Sequence, residues 1–357
     1  MVLPDISPRP SRVLVTGATG NVGTALLRRL AREGVGVSGV ARRVPRPEDS
    51  PAAGARWHGI DISSRSAPAL LREAMAGVDA VVHLAWAIQP SHDEGRLAAT
   101  NVDGTRHVVE AALDAGVPHL VHASSLGVYA PGPKEPVGED WPATGVPSSP
   151  YSRHKAAAEA VLDEAEQRSP ATVLTRVRPG LVLQREAGGE ISRYFAGPFV
   201  PTRLLGRLHL PVLPLPHRLS FQVVHADDLA EAFWRVVATR LPGAVNVAAD
   251  APLSADDLAR ALGAGRALDV PAASLRALAS LSWRLHLQPT DAGWLDLAVE
   301  IPLMSIGRAH TELGWSASVP AQQALADLLA GMRAGAGSAT APLRRRGLLT
   351  GRHEPAS

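Results

Sequence analysis

The sequence predicts an α/β protein: a doubly wound parallel sheet followed by a smaller, mostly helical C-terminal lobe. Two observations carry this expectation. Short apolar, β-rich runs alternate with helical runs through the first 180 residues, the pattern of βαβ units. Glycines at 17, 20 and 23 follow the first apolar run directly and open a helical one.

In chain order the strands read as RVLVT (12–16), GVGVSGVA (34–41), ARWHGI (55–60), AVVHLA (80–85), HLVHAS (119–124) and ATVLTRVR (171–178). Each is nearly continuously apolar, as expected when helices cover both faces of a sheet. Helical runs lie between them at 22–33, 67–77 and 100–116. The stretch 195–219 is apolar and punctuated by proline, and fits neither a regular helix nor a regular strand. HADDLAEAFWRVVATR (225–240) then reads as an amphipathic helix that Asp227 and Asp228 can cap, and shorter helices follow at 254–262, 271–286 and 320–333. These elements suggest a flexible N-terminus (1–11), a nucleotide-binding domain (12–180, with 220–248 returning to it), a substrate lobe (181–219 and 249–333) and a disordered tail (334–357).

Composition narrows the class. The chain has 357 residues, 46% hydrophobic and 20% charged, with a formal charge of +2, ordinary for a globular protein. The basic cluster PLRRRGLLTGRH (342–353) lies in a Gly/Ala/Ser-rich tail, so no nucleic-acid partner is expected. Cysteine is absent, which excludes disulfides, zinc–thiolate sites and cysteine nucleophiles. The N-terminus lacks an apolar signal core, and no run is long enough to span a bilayer, so a cytoplasmic protein without a membrane partner is expected.

The glycine stretch TGATGNVG (16–23) has a physical rationale. A strand feeding a helix through a tight turn leaves the first helical N–H groups pointing outward, which suits a pyrophosphate. Gly17 permits the turn, Gly20 the approach of phosphate, and Gly23 close packing of helix on strand. The spacing is GxxGxxG, not GxGxxG.

With these residues the chain resembles the extended short-chain dehydrogenases/reductases, the NAD-dependent epimerase/dehydratase family, over about residues 12–330. The resemblance implies a Rossmann-type fold and dinucleotide contacts from Gly17, Thr19, Gly20, Asn21, Val22 and Gly23. It implies further contacts from Asp61 and Ile62, from Leu84 and Ala85 under the cofactor, and from Ser124, Tyr151, Lys155 and Pro179. Asp61 could equally cap a helix. A homodimer is implied by analogy.

At the end of the second strand Ala41 stands where an NAD binder commonly carries an acid, and Arg42 and Arg43 follow. Arginines there suit a 2′-phosphate, so NADP is preferred, with NAD the alternative and a solvated strand end the bland reading.

The chemistry centres on SPYSRHKAAAEAVL (149–162), where Tyr151 and Lys155 share one helical face. A free phenol titrates near ~10, so its use as a base near neutrality needs about 4 kcal/mol of help, part of it from a neighbouring ammonium. Arg153 and His154 between them read as solvated. In HASSLGVYA (122–130) the resemblance makes Ser125 the catalytic hydroxyl, with Ser124 the competitor and Tyr129 a marker, not the base. Leu126 and Gly127 occupy the positions of the Asp–Glu pair of the family's dehydratases, which makes water elimination the weakest reading. Asn101 is implied to bend its helix or order a proton-relay water, with an N-cap the alternative. His83 reads as a satisfied core histidine. His58, His92, His107, His119 and His122 show no ligand spacing, so no metal site is expected.

These residues point to an NAD(P)-dependent oxidoreductase acting on a carbinol or carbonyl carbon. A nucleotide-sugar epimerase would use the same residues, and Arg193, Arg203 and Arg207 could face its diphosphate. The proline-rich 195–219 stretch favours a less polar substrate. A non-catalytic NADP-binding regulator is the reading from another class.

Overall fold

The computed structural model describes residues 9–89, 91–193, 210–216, 219–287 and 290–344. Seven strands form the central sheet: β1 (Arg12–Thr16), β2 (Gly36–Ala41), β3 (Arg56–Gly59), β4 (Ala80–His83), β5 (His119–Ala123), β6 (Val173–Pro179) and β7 (Gly243–Val247). Their order is β7-β6-β5-β4-β1-β2-β3, with every neighbouring pair parallel. The parallel sheet expected from the alternation, and the Rossmann-type fold that the resemblance implied, are therefore present. The sequence reading carried no strand at 243–247.

Helices α1 (Asn21–Arg32), α2 (Ala67–Ala74), α3 (Glu94–Ala98), α4 (Gly104–Asp114), α5 (Pro150–Arg168) and α6 (Ala226–Thr239) flank the sheet. Strand alternation sorts the core into two layers. Val13 and Val15 face one side, with Leu27 and Leu30 of α1 and Phe233 and Val237 of α6. Leu14 faces the other, with Val81, Leu120, Leu71, Val108 and Leu162. Complete burial of each such side chain contributes about 1.5–3 kcal/mol, which is why both faces must be covered.

The Asp pair at 227–228 does not cap α6. His225 does, its ring accepting from Asp227 N. Asp228 instead accepts from Ser318 Oγ at 2.5 Å and Val319 N at 2.9 Å, tying α6 to a distant loop.

A second group of helices, α7 (Ala255–Ala261), α8 (Ala272–Arg284), α9 (Gly293–Glu300) and α10 (Ala321–Ala334), forms the C-terminal part. The stretch 195–219, read as irregular, contains a strand at Leu210–Leu215 paired in parallel with Ala264–Asp269. Pro211 and Pro214 are tolerated because a two-stranded ribbon leaves one edge unpaired. Most of the remainder of that stretch, Arg203 and Arg207 included, lies outside the described residues.

The expectation of disorder from residue 334 fails as far as residue 344. Gly335 adopts φ +56° and ends α10 with capping bonds to Met332 O and Gly331 O. Ala336 and Leu343 are then buried. Residues 345–357 lie outside the described residues.

Candidate active site

The turn after β1 shows why glycine is needed at 17. Its φ is +67°, and a Cβ there would sit 2.7 Å from Ala85 N and 2.8 Å from the Leu84 carbonyl carbon. Gly23 is restricted by the turn itself, since its Cβ would lie 2.7 Å from the Ala18 carbonyl carbon; the helix packs on the turn more than on the strand. A Cβ on Gly20 would meet only Gly17 O, at 3.3 Å, so that face of the turn is open.

The open face belongs to a groove over the C-terminal ends of β1, β2 and β4. Gly17, Thr19, Gly20, Arg42, Arg43, Asp61, Ile62, Leu84 and Ala85 all line it. Arg42 and Arg43 are exposed, and neither is ion-paired with a carboxylate among the described residues. Asp61 accepts from Ser63 N and Oγ in a local turn and does not cap α2, whose N-cap is Ser66. The neighbouring Ile62 carbonyl is held by the His107 ring at 2.8 Å.

Asn21, Val22, Gly23, Ser124, Tyr151, Lys155 and Pro179 do not line this groove. Asn21 turns to the short strand Leu181–Leu183 that follows β6, donating to Val182 O at 3.1 Å, and bonds Gln184 just beyond it. Val22 packs against the core. The tail contributes instead: Ala341 and Pro342 lie along the groove, with Glu190.

Beyond Ala85 the groove reaches Trp86, where the second cluster of expected residues begins. Ser149 caps α5 and Pro150 occupies its first turn, so Tyr151 and Lys155 emerge one turn apart near the C-terminal ends of β4 and β5. Lys155 Nζ donates to Ala123 O at 2.8 Å and lies 5.9 Å from the centre of the Tyr151 ring. The Ser125 hydroxyl lies beside the Tyr151 phenol and favours its ionised form, but burial dominates and pushes the phenol up to about 12. Burial also brings the Lys155 ammonium down to about 7, opposed by the charge of Glu159. Ser125 therefore joins this cluster, whereas Ser124 Oγ is buried with no partner among the described residues.

Tyr129 sits apart from it. It is fully buried, donates to Asn246 Oδ1 at 2.7 Å and accepts from Arg178, which forms a buried two-pronged pair with Glu159. Gly127 leaves space for the Tyr151 ring: a Cβ there would lie 2.9 Å from Tyr151 Cε1. An acid at that position could not be accommodated without moving Tyr151.

Asn101 is not an N-cap. It is buried in a π-helical turn (Ala99–Asp103) that joins α3 to α4, donating to Ala87 O at 3.0 Å and accepting from Ala87 N at 2.7 Å. This clasp fixes the backbone just after Trp86. His154, read as solvated, is buried against the same turn, 3.5 Å from Asn101 Nδ2, because its side of α5 packs on it. Arg153 is exposed and pairs with Glu94. His83 bridges Thr16 Oγ1 at 2.7 Å and Thr105 Oγ1 at 3.0 Å, and burial lowers it to about 3, leaving a neutral core histidine.

Two aromatic residues at the centre escaped the sequence reading. Trp86 places its ring 6.2 Å from that of Tyr151 and against Lys155 Nζ, and Trp294 of α9 places its ring 4.9 Å from that of Tyr151. The position of Trp86 directly after Ala85 was the one available signal. Among the described residues no group of three or more His, Asp or Glu side chains is placed to hold a metal, and no helix is long and apolar enough to cross a membrane.

The family model for the NAD dependent epimerase/dehydratase family matches residues 13–248, spanning both clusters. The chain belongs to this family. Among curated relatives, an uncharacterized protein of Mycobacterium tuberculosis is 26% identical over 324 residues, 90% of this chain but only 30% of its own length. A 3-diazoavenalumate denitrifying reductase of a Streptomyces species is 30% identical over 327 residues, covering 87% of this chain and 97% of the relative. Among solved structures, the UDP-glucose 4-epimerase of Thermotoga maritima, with UDP-glucose, superposes with a TM-score of 0.67 at 18% identity, over 90% of this chain and 99% of that one, a likeness of fold. The epimerase/dehydratase family is enzymatic, and several structural neighbours hold NAD.

Proposed function

We propose that this protein is an NAD(P)-dependent oxidoreductase that interconverts a carbonyl and a carbinol carbon at Tyr151. The observation that carries the reading is the meeting of Tyr151, Lys155 and Ser125 at the sheet edge where the glycine-turn groove arrives.

The groove residues fit a dinucleotide on their own geometry. A left-handed glycine with no room for a side chain, an open face at Gly20 and two arginines beyond β2 without an ion pair among the described residues are what a pyrophosphate and a 2′-phosphate require. Gly17, Gly20 and Thr19 would hold the pyrophosphate, Asp61 and Ile62 the adenine, and Arg42 and Arg43 the 2′-phosphate of NADP, the preferred form. When bound, the nicotinamide supplies or accepts the hydride.

In the reducing direction Tyr151 would donate its phenolic proton to the oxygen of the carbonyl group as that group becomes an alcohol. Ser125 orients the oxygen, and the Lys155 charge favours the phenolate left behind. Oxidation runs the same steps in reverse. Leu126 and Gly127 supply no acid or base for eliminating water.

The direct test is Tyr151→Phe. Turnover of a carbonyl substrate, followed at the absorbance of reduced nicotinamide, is expected to vanish while NADP still binds. Full activity in that variant would reject the mechanism.

A further inference from the structure

A second cleft, of about 300 Å³, opens between α8 and α9. Leu275, Leu278 and Ala279 of α8 form one wall, and Trp294 and Leu295 of α9 the other. Trp294 joins the two sites, because its ring both lines the cleft and packs 4.9 Å from Tyr151. We infer that this cleft binds the substrate of the Tyr151 site, and that the substrate is a neutral, largely apolar carbonyl compound or alcohol and not a nucleotide diphosphate. The inference rests on the oxidoreductase reading above.

Charge decides between the two substrate classes. The one titratable side chain among the lining residues is an acid, Asp291, whose Oδ1 accepts from Gly293 N at 2.7 Å. Arg276, next to the cleft on α8, is held by both oxygens of Asp296 at 2.9 and 3.0 Å. Arg153, which acts on Asp291 from α5, is committed to Glu94 and to Pro147 O. Arg193, one of the arginines that could have met a diphosphate, donates to Pro342 O at 2.9 Å. Among the described residues that line the cleft none is basic, so a diphosphate there would face the Asp291 carboxylate with no lining cation to answer it.

Shape points the same way. The volume is at the lower end of the roughly 300–1,000 Å³ of small-molecule sites, and its walls are apolar with few polar groups, as for an apolar ligand. The apolar surface also continues outward from the mouth. Leu278 and Leu281 of α8 and Leu285 at its C-cap are 64%, 56% and 58% exposed and recur at helical spacing along one stripe. A ring or short chain fits inside, and a longer apolar tail lies along that stripe.

The probe is Prodan, a neutral fluorescent ketone whose emission moves to the blue in an apolar site, titrated into the full-length protein with NADP present. Saturable blue-shifted binding is expected, undisturbed by excess UDP-glucose. Ala279→Trp, which fills the cleft, should weaken binding by ~10-fold or more through lost apolar contact. Leu278→Glu, at an exposed position that leaves packing intact, should weaken it several-fold and decides the matter if Ala279→Trp does not fold. Absence of saturable binding, displacement by UDP-glucose, or wild-type binding in the folded variants overturns the proposal. Tyr151→Phe separates the two readings: it should bind Prodan like the wild type, and if it also kept turnover, the hydride-transfer reading would fall while the cleft remained.

Discussion

The Lys155 ammonium stands 3.4 Å from the centre of the Trp86 indole, and Trp86 lines the groove that the glycine turn opens. A buried cation over an indole face gains about 2 kcal/mol, which supports the charged form of a lysine that burial otherwise brings down to about 7. Glu159 on its own helix adds to that support, while the neutral rings of His83 and His122 face it from β4 and β5. Trp86→Ala is expected to lower the proton affinity of Lys155 and so raise that of Tyr151. The rising limb of the pH–rate profile, which reports Tyr151, should move to higher pH, with Trp86→Phe in between. An unchanged profile in Trp86→Ala would show that the indole plays no part in setting the charge.

The same lysine costs stability. Its folded-state pKa of about 7 lies below the ordinary 10.5, so between those values the unfolded chain binds a proton that the folded protein does not. Stability should therefore rise with pH across that window, by ~1.4 kcal/mol for each tenfold loss of proton affinity on folding, and the penalty is complete below it. Lys155→Met should remove both the penalty and the pH dependence, at the loss of one hydrogen bond, ~1 kcal/mol, at Ala123 O. Thermal unfolding at neutral pH should show a stabler, inactive protein; a less stable one would mean that the charge is better solvated than its burial suggests.

Gly127→Ala tests the space around the phenol. The added methyl would lie 2.9 Å from Tyr151 Cε1, so the ring must shift. A displacement of this size is expected to lower kcat by ~10- to 100-fold. Cofactor binding should be retained, since Gly127 is not part of the groove. Wild-type kcat in this variant would mean that the ring position is not critical.

Arg42→Ala tests the cofactor form. Loss of a charge-assisted bond to a 2′-phosphate, worth about 1.5–3 kcal/mol, should weaken NADP by ~10- to 150-fold and leave NAD nearly unchanged. Equal effects on the two dinucleotides, measured by calorimetry, would remove the basis for an NADP preference.

Much of the frame was legible in the sequence because it is written in local patterns. Apolar periodicity marked six of the seven strands, and the glycine spacing marked the turn where a side chain has no room at 17. The i, i+4 spacing alone put Tyr151 and Lys155 on one face of a helix. Where local rules competed with distant partners they failed. Asp228 looked like a helix cap but bonds residues 318 and 319, His154 looked solvated but packs on the Asn101 turn, and the tail looked disordered but buries Leu343.

By itself the sequence determined the order of strands and helices, the glycine turn and the tyrosine–lysine pair, since each depends on backbone sterics and on neighbours within a turn or two. Only the tertiary structure decided that Trp86 lies on Lys155, that Trp294 joins Tyr151 to an apolar cleft, and that Pro342 lies along the groove. Those contacts join residues far apart in the chain, and their energies arise from burial and charge that exist only once the sheet and both helical layers have closed around them.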